Sequence, residues 1–546
     1  MEGLGQDLET MRRVPLAQSH VDAICEIGGE RSYETGEIVM QIGEPMDTFV
    51  YVIEGEIEVV DPYTNERMFE HALGPTQFMG EIGFLTGATA YLRMRAAKPT
   101  RVIEAPRLAM LDLMSRVPEL SDHIITVFAA RRRKQFEESN GAVKIIGADR
   151  DARVQEVERF LSRNRIPFES FDMDATDQET AAVCDLTGHK PSVILGQEQR
   201  LEEPTPRKVA QYLNLDLDIC SQRMFDLLIV GGGPAGVAAA VYAGSEGLDA
   251  LVVEDMAIGG QAGTSSRIEN YMGFPTGISG TDLTYRGQIQ ALKFGTRFAM
   301  PRRVERLTRR EDGTFCATLD GEGDSADEVC ARAVLVSTGV QYRRLPIDRL
   351  RELEGKGIYY AATEMEARFC SNSEVIVIGG GNSAGQAAMY LSRSAAHVHL
   401  LVRSGSLAAS MSSYLSSRLE ADPRITIHYN TTMEALHGDG WLDAVTLKGP
   451  DGERRQKARA AFIMIGAAPN TEWLSGLVST DENGFVLSGK EAGRESPFET
   501  GTDGIFAVGD VRAGSVKRVA SAVGEGSVVV SQIWTYLDSL KHREPV

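Results

Sequence analysis

"FDLLIVGGGPAGVAAAVYAGSEGLDALVVE" runs from Phe225 to Glu254 and decides the architecture of the C-terminal part of the chain. A mostly apolar run up to Val230 suits a buried strand. Three glycines follow as Gly231-x-Gly233-x-x-Gly236, with Pro234 and Ala235 opening an alanine-rich helix. A second apolar strand then ends on Glu254. The first glycine permits a tight turn, the second lets the backbone approach a pyrophosphate, and the third lets helix and strand pack closely. The helix N-terminus offers unpaired N–H groups and a partial positive charge to the phosphates. Glu254, 23 residues after Gly231, stands where a carboxylate accepts hydrogen bonds from ribose hydroxyls.

"EVIVIGGGNSAGQAAMYLSRSAAHVHLLVRS" (374–404) repeats the plan with Gly379, Gly381, Asn382, Ser383 and Ala384. Its second strand ends on Val402-Arg403-Ser404, without an acid. A guanidinium there attracts a 2′-phosphate that a carboxylate would repel, which favours NADPH over NADH. A third signature is "GTDGIFAVGDVRAGSVKRVASAVGEGS" (501–527), a strand ending in Gly509-Asp510 with a helix starting near Val519. Asp510 is placed to hydrogen-bond a ribityl hydroxyl. The helix start, with Lys517 and Arg518, faces positive charge toward a flavin N1 and C2 carbonyl, where reduction builds negative charge. Two strand–glycine–helix repeats imply two related dinucleotide folds in one enzyme.

Upstream the character changes twice. Residues about 30–115 hold short strand-like segments broken by glycine. "TFVYVIEGEIEVV" (48–60) reads as two strands around a Glu54-Gly55 turn, and "RVIEAP" (101–106) as another, which fits a small β-roll. Val117 to Ser139 reads as a helix with apolar positions at Leu120, Ile124, Val127 and Phe128. Its basic run "ARRRKQ" (130–135) reads as a solvated helix face or end. Residues about 142–217 alternate strands and helices, as a small α/β domain does. At about 150 residues per domain, 546 residues allow this multidomain reading.

The formal charge of −20 argues against nucleic acid as a partner. No stretch reaches 18 apolar residues, so no membrane span is expected. The N-terminus lacks the apolar segment of a secretory signal, and a cytoplasmic location is expected. The cysteines are Cys25, Cys184, Cys220, Cys316, Cys330 and Cys370, with no C-x-x-C. From that spacing neither a metal site nor a local redox pair is expected, which suits a reducing compartment.

Residues about 225–546 resemble the low-molecular-weight thioredoxin reductases, class II of the pyridine nucleotide–disulfide oxidoreductases. The matching motifs, in the family's order, are "IVGGGPAG", "IGGQ", "IENYMGFP" (268–275), "VSTG" (336–339), "IGGGNSA", "IGAAPNT" (465–471) and "GIFAVGD". The resemblance implies a homodimer with FAD bound by residues 225–345 and 470–546, and NADPH by an inserted domain at 346–469. It further implies cofactor contacts from Gly260, Gln261, Thr338 and Gly339. Asn270 is implied at the isoalloxazine, and Val304 at the adenine through its backbone.

The family's C-A-T-C-D precedes the second glycine motif. Here its cysteine positions fall on Ala361 and Glu364, or on Ala362 and Met365, depending on the anchor used. Without a thiolate pair the usual thioredoxin reduction cannot run. Cys370 has no neighbour to pair with and reads as structural. In place of the family's H-R-R-x-x-x-R stands "VRSGSLA", which keeps Arg403 and offers Ser404 and Ser406 as further donors.

With "ETGEIVMQIGEPMDTFVYVIEGEIEV" (34–59) and "FMGEIGFLTG" (78–87), residues 1–140 resemble a cyclic-nucleotide-binding domain with its C-terminal helix. Glu81 matches the family's ribose-binding glutamate, but Ala90 and Tyr91 stand where the phosphate-binding arginine is expected. Ordinary cyclic-nucleotide binding is therefore not expected. With "HKPSVIL" (189–195) matching a cis-proline strand, residues 142–217 resemble a thioredoxin or glutaredoxin fold without its C-x-x-C, and Pro191 is the expected cis-proline. The expected function is an FAD-dependent NADPH oxidoreductase passing electrons directly to an unknown acceptor, a small molecule or a redox protein. Asn270, Lys517 and Arg518 are its expected catalytic groups. The alternatives are thioredoxin-disulfide reduction through remote or partner cysteines, and a non-enzymatic flavin- or nucleotide-regulated redox sensor.

Overall fold

The computed structural model describes residues 15–541, apart from 62–64, 70, 138–142, 149–150, 174–189, 196–198, 214, 216–222, 266–267, 269, 321–326, 355, 361, 363, 409–410 and 475. The chain divides into two compact units. One comprises Met1–Gln222, Gly244–Ala257 and Gln288–Arg303; the other comprises Arg223–Ala243, Ile258–Gly287 and Val304–Val546.

The first unit opens with a β-roll whose strands lie in the order Gly29–Tyr33, Arg93–Pro106, Thr48–Val60 and Phe78–Met79. Thr48–Val60 is one long strand, not two around a turn. It runs antiparallel to Arg93–Pro106 through register shifts at Val52/Glu54, Glu54/Glu56 and Glu56/Ile57. Gly55 takes φ +95°, and a Cβ there would lie 2.4 Å from the Thr100 Cα. The glycine that reads as a turn therefore serves a bulge against the neighbouring strand. The helix Pro118–Glu137 buries Leu120, Ile124, Val127 and Phe128, as the periodicity predicts.

In the α/β segment of this unit, Val143–Gly147 pairs parallel with Phe168–Asp172 and antiparallel with Ser192–Leu195. A strand missed in the sequence, Gln199–Glu202, pairs antiparallel with Ser192–Leu195. Within this α/β alternation, residues 174–189, Cys184 among them, fall outside the described residues. The cis peptide bond found among the described residues precedes Pro301, not Pro191.

In the second unit, Glu328–Val336 pairs parallel with Met224–Val230 along one edge. Its other edge pairs with Phe315–Leu319 at the start and with Ile505–Ala507 at the end. A separate parallel sheet orders Ile358–Tyr359, Ala460–Ile463, Glu374–Ile378, His397–Val402 and Ile425–Tyr429. Its first glycine-motif strand, Glu374–Ile378, is central. The order reverses there, and the crevice beyond such a strand is where open α/β sheets take ligands. Val340–Tyr342 and Ala467–Pro469 pair antiparallel, so the chain enters and leaves the inserted sheet side by side. The multidomain architecture read from the sequence, a roll followed by dinucleotide-type α/β sheets, is the one found.

Candidate active site

The three glycines of the first motif have different neighbours. Gly231 takes φ +105°, and a Cβ there would lie 2.5 Å from the Ser337 carbonyl oxygen. A Cβ on Gly236 would lie 1.9 Å from the Gly231 carbonyl oxygen. On Gly233 it would meet nothing nearer than the Gly260 Cα, at 4.0 Å. The first and third glycines are thus required by the protein itself, whereas the second borders open space. The cradle fits a dinucleotide phosphate approaching the start of the helix Pro234–Ser245.

The cradle is braced from behind. Ser337 Oγ donates to the carbonyls of Val230 (3.0 Å) and Gly231 (2.8 Å). Thr338 Oγ1 donates to the Asn470 carbonyl at 2.8 Å, and Gln261 Nε2 to that of Val340 at 3.1 Å. Gly260 and Gly339 take positive φ. Val304 is buried at the start of the strand Val304–Arg309. Glu254 is buried at the end of its strand, where its carboxylate accepts from the Met256 N–H at 3.4 Å. Asn270 is exposed, and Met272, two residues on, is 93% exposed.

At the third signature, Ile505–Ala507 leads into a tight turn at Gly509–Val511, and the helix begins at Val519. Burial raises the Asp510 carboxyl above its ordinary range; Lys517 opposes the shift and Glu525 adds to it. Lys517 Nζ donates to the Asp510 carbonyl at 3.2 Å and lies 4.5 Å above the Phe485 ring. Arg518 is exposed. Sequence reading missed Glu525. Its carboxylate accepts from the Gly509 N–H and from Arg512, both at 2.7 Å, so it fixes the turn that presents Asp510. No local pattern marks it, because the helix folds back to bring it there.

In the inserted sheet, Gly379 takes φ +143°, and a Cβ there would lie 2.3 Å from the Met464 carbonyl oxygen. The helix Asn382–Leu391 starts directly after Gly381 and buries Ala384. Asn382 Oδ1 accepts from the Ser412 N–H at 2.8 Å, and Ser383 is exposed at the same helix start. Arg403 is exposed just past the strand His397–Val402, where a 2′-phosphate is expected. Ser404 Oγ donates to the Ser406 carbonyl at 2.8 Å, so that hydroxyl proton is already used within the turn.

The cysteines require a correction. Cys316 and Cys330, which the sequence left unpaired, form a disulfide. They sit in register on the antiparallel strands Phe315–Leu319 and Glu328–Val336. They are equidistant from Gly323, which lies within the glycine- and aspartate-rich stretch "DGEGDSAD" (320–327), a symmetry that a hairpin reading would have used. Among the described residues, no thiol pair appears near the second motif. Ala362 is buried, Glu364 and Met365 lie in the helix Glu364–Phe369, and Ala361 is outside the described residues. Cys370 is buried, and its Sγ donates to the Glu366 carbonyl at 3.1 Å. Burial, reinforced by the Glu366 carboxylate, pushes its thiol up to about 12, so it carries almost no thiolate at neutral pH.

The basic run of the N-terminal helix is also corrected, since it is not all solvated. Arg132 is buried and donates from Nε to the Glu81 carboxylate at 2.6 Å. Glu81 also accepts from the Gly83 N–H at 2.8 Å. Tyr91, which stands at an expected phosphate-binding position, is buried in a core shared with Val143, Val154 and Phe160 of the α/β segment.

Comparison with known proteins agrees with this geometry. The family model for pyridine nucleotide-disulphide oxidoreductases matches residues 225–526. The chain belongs to this family. A cyclic nucleotide-binding domain model matches residues 30–117. Over 322 residues the chain is 34% identical to the thioredoxin reductase of Treponema pallidum, spanning 58% of this chain and 99% of that one. It is also 34% identical, over 323 residues, to NADPH-dependent thioredoxin reductase 3 of Arabidopsis thaliana, covering 58% of each. Among solved structures, thioredoxin reductase of Lactococcus lactis in its FR conformation superposes with a TM-score of 0.53 at 27% identity. That match covers 58% of this chain and 99% of the other. The protein is thus a thioredoxin-reductase-like flavin oxidoreductase with FAD and NADPH as cofactors, joined to a cyclic-nucleotide-binding-type domain. Among the described residues, no helix is long and apolar enough to cross a membrane.

Proposed function

We propose that this oxidoreductase passes electrons from NADPH through FAD directly to an acceptor, a small molecule or a redox protein, with no dithiol of its own beside the flavin. The observation that carries this reading is the state of the cysteines. The family's redox positions hold none, and the nearby Cys370 is a buried, protonated thiol hydrogen-bonded to its own helix. The Cys316–Cys330 pair lies at the start of the strand Glu328–Val336, whose far end leads to Ser337 and the glycine cradle. Six residues of strand separate Cys330 from Val336, about 20 Å.

NADPH supplies a hydride, and FAD accepts two electrons and can release them singly or as a pair. The residues bind and orient. Gly231, Gly233 and Gly236 shape the cradle, with Pro234 and Ala235 at the helix start, and Glu254 holds ribose hydroxyls. Asp510, held by the Glu525-braced turn, addresses the ribityl chain. Lys517 and Arg518 bring positive charge to the helix start at Val519, and Asn270 lines the reacting face. Gly379, Gly381, Asn382, Ser383 and Ala384 form the second cradle, and the Arg403 guanidinium favours a 2′-phosphate. The assembly in this reading is a homodimer.

The test is an anaerobic NADPH titration that follows flavin absorbance. Bleaching complete at about one NADPH per FAD is the expected result, since the flavin is then the only two-electron centre filled. About two per FAD would show that a thiol pair takes electrons and would end this reading. Complete bleaching without steady-state turnover on ferricyanide or a quinone would identify a sensor instead.

A further inference from the structure

We infer that Cys316–Cys330 is a second redox centre of this chain, opened by an external dithiol, closed by exchange with the corresponding external disulfide, and isolated from the flavin route. It acts as a clasp on the cofactor-binding sheet. The inference is independent of the acceptor's identity.

Three observations carry it. The two cysteines are register partners on neighbouring antiparallel strands, so the bond joins the strands side by side rather than anchoring a loose loop. Both are buried, yet Glu328, two residues before Cys330 and so on the same face of the strand, is exposed. Its carboxylate oxygen lies 3.8 Å from the Cys330 Sγ and 2.9 Å from Arg310. The bond thus sits two register pairs in from the exposed Glu328, where local opening of the strand end admits a thiolate. The third observation is the course of the strand itself. From Cys330 it pairs residue by residue with Met224–Val230 and delivers Ser337 to the Gly231 carbonyl. The clasp therefore holds one end of the strand whose other end backs the glycine cradle.

The chemistry is thiol–disulfide exchange. One thiolate of an external dithiol attacks a sulfur, the Cys316–Cys330 bond breaks, and a mixed disulfide forms. The second thiolate then displaces the remaining protein sulfur. The external dithiol is oxidised by two electrons, and Cys316 and Cys330 leave as thiols. The reduced flavin does not do this, because the pair lies a full strand length from the cradle.

The test uses the full-length holoprotein purified in air. Digestion without reductant, followed by mass spectrometry, is expected to yield a peptide pair linked through Cys316 and Cys330. Dithiothreitol should release two additional alkylatable thiols and lower the melting temperature by about 5 °C, as expected for opening a fourteen-residue loop. The double variant Cys316→Ser/Cys330→Ser should melt at the lower temperature with or without dithiothreitol. If that variant does not fold, the response of the unaltered protein to dithiothreitol carries the test. NADPH under anaerobic conditions should release no thiols. Free thiols at both positions in the air-purified protein, a zinc ion held in place of the bond, or an unchanged melting temperature on reduction would each overturn the clasp. They would leave the direct-transfer reading standing provided one NADPH still bleaches one FAD. Opening of the pair by NADPH alone would overturn both.

Discussion

Arg132 and Glu81, 51 residues apart, meet as a buried ion pair inside the N-terminal unit, with the Arg132 guanidinium 5.3 Å above the Tyr91 ring. The helix that carries Arg132 is thereby fastened over the roll, with Arg131 also donating to the Gly80 carbonyl at 2.9 Å. The carboxylate that resembles a ribose ligand is already committed, and a buried tyrosine stands where a phosphate would need an arginine.

Cyclic AMP at millimolar concentration is therefore expected to leave the melting curve of the unaltered protein unchanged. Arg132→Ala should destabilise the N-terminal unit by about 3 kcal/mol, because removing one partner leaves the other charge buried and unpaired. Arg132→Ala/Glu81→Gln should recover part of that loss. Thermal or chemical denaturation of the three proteins measures both effects, and a cyclic-AMP-dependent rise in melting temperature would contradict the committed carboxylate.

The first glycine motif separates packing from binding. Gly236→Ala drives a methyl group to within 1.9 Å of a backbone oxygen, so it should cost several kcal/mol of stability and lower the yield of folded protein. Gly233→Ala meets no protein atom closer than 4.0 Å. It should fold with an unchanged far-ultraviolet spectrum and lose flavin, with the ratio of flavin to protein absorbance falling tenfold or more. Normal flavin content in Gly233→Ala would show that the cradle is not where the pyrophosphate lies.

These contrasts mark what the sequence could disclose. The glycine motifs were legible because spacing alone dictates a strand, a turn and a helix start, and the described elements begin within a residue or two of the expected places. Gly55 misled because a glycine between two β-branched runs reads equally well as a turn or a bulge, and only the Thr100 backbone across the sheet decides. Arg132 and Glu525 were illegible because their partners are brought in by tertiary packing; a basic run on a helix gives no sign of which guanidinium turns inward. Cys316 and Cys330 lay between these cases, visible once the hairpin register is known.

The inserted sheet carries a directed hydrogen-bond chain with a consequence for pH. Arg454 donates to His428 Nδ1 at 3.1 Å, which leaves the His428 proton on Nε2 to meet His399 Nδ1 at 3.0 Å. His399 Nε2 in turn faces the Glu374 carboxylate at 3.1 Å, which also accepts from Gln456 at 2.7 Å. Burial, with Arg454 and the neighbouring histidines, lowers the His428 imidazole from 6.5 to about 4. His399 is lowered as well, chiefly by burial, against the pull of Glu374. Below pH 6.5 the unfolded chain binds protons that the folded chain refuses, so stability rises with pH across this window. Acidification from pH 6.5 toward 4 should therefore destabilise the inserted sheet, and His428→Gln should flatten that slope. Denaturation midpoints measured between pH 7 and 4.5 check it. A slope of the opposite sign, with the variant matching the unaltered protein, would contradict the neutral chain.

Cys370 supplies the control for direct transfer. It is the cysteine nearest to the second glycine motif, and a dithiol mechanism would have to recruit it. Its sulfur is buried, with its proton directed at the Glu366 carbonyl and its titration pushed up to about 12. A thiol in that state is a poor nucleophile at pH 7. Cys370→Ala removes a small buried side chain and should cost about 1 kcal/mol of stability. NADPH-dependent reduction of ferricyanide should stay within about twofold of the unaltered protein, and the flavin should still bleach at one NADPH per FAD. A loss of turnover beyond tenfold at unchanged flavin content would mean that this thiol takes part, and electrons would then leave the flavin through sulfur.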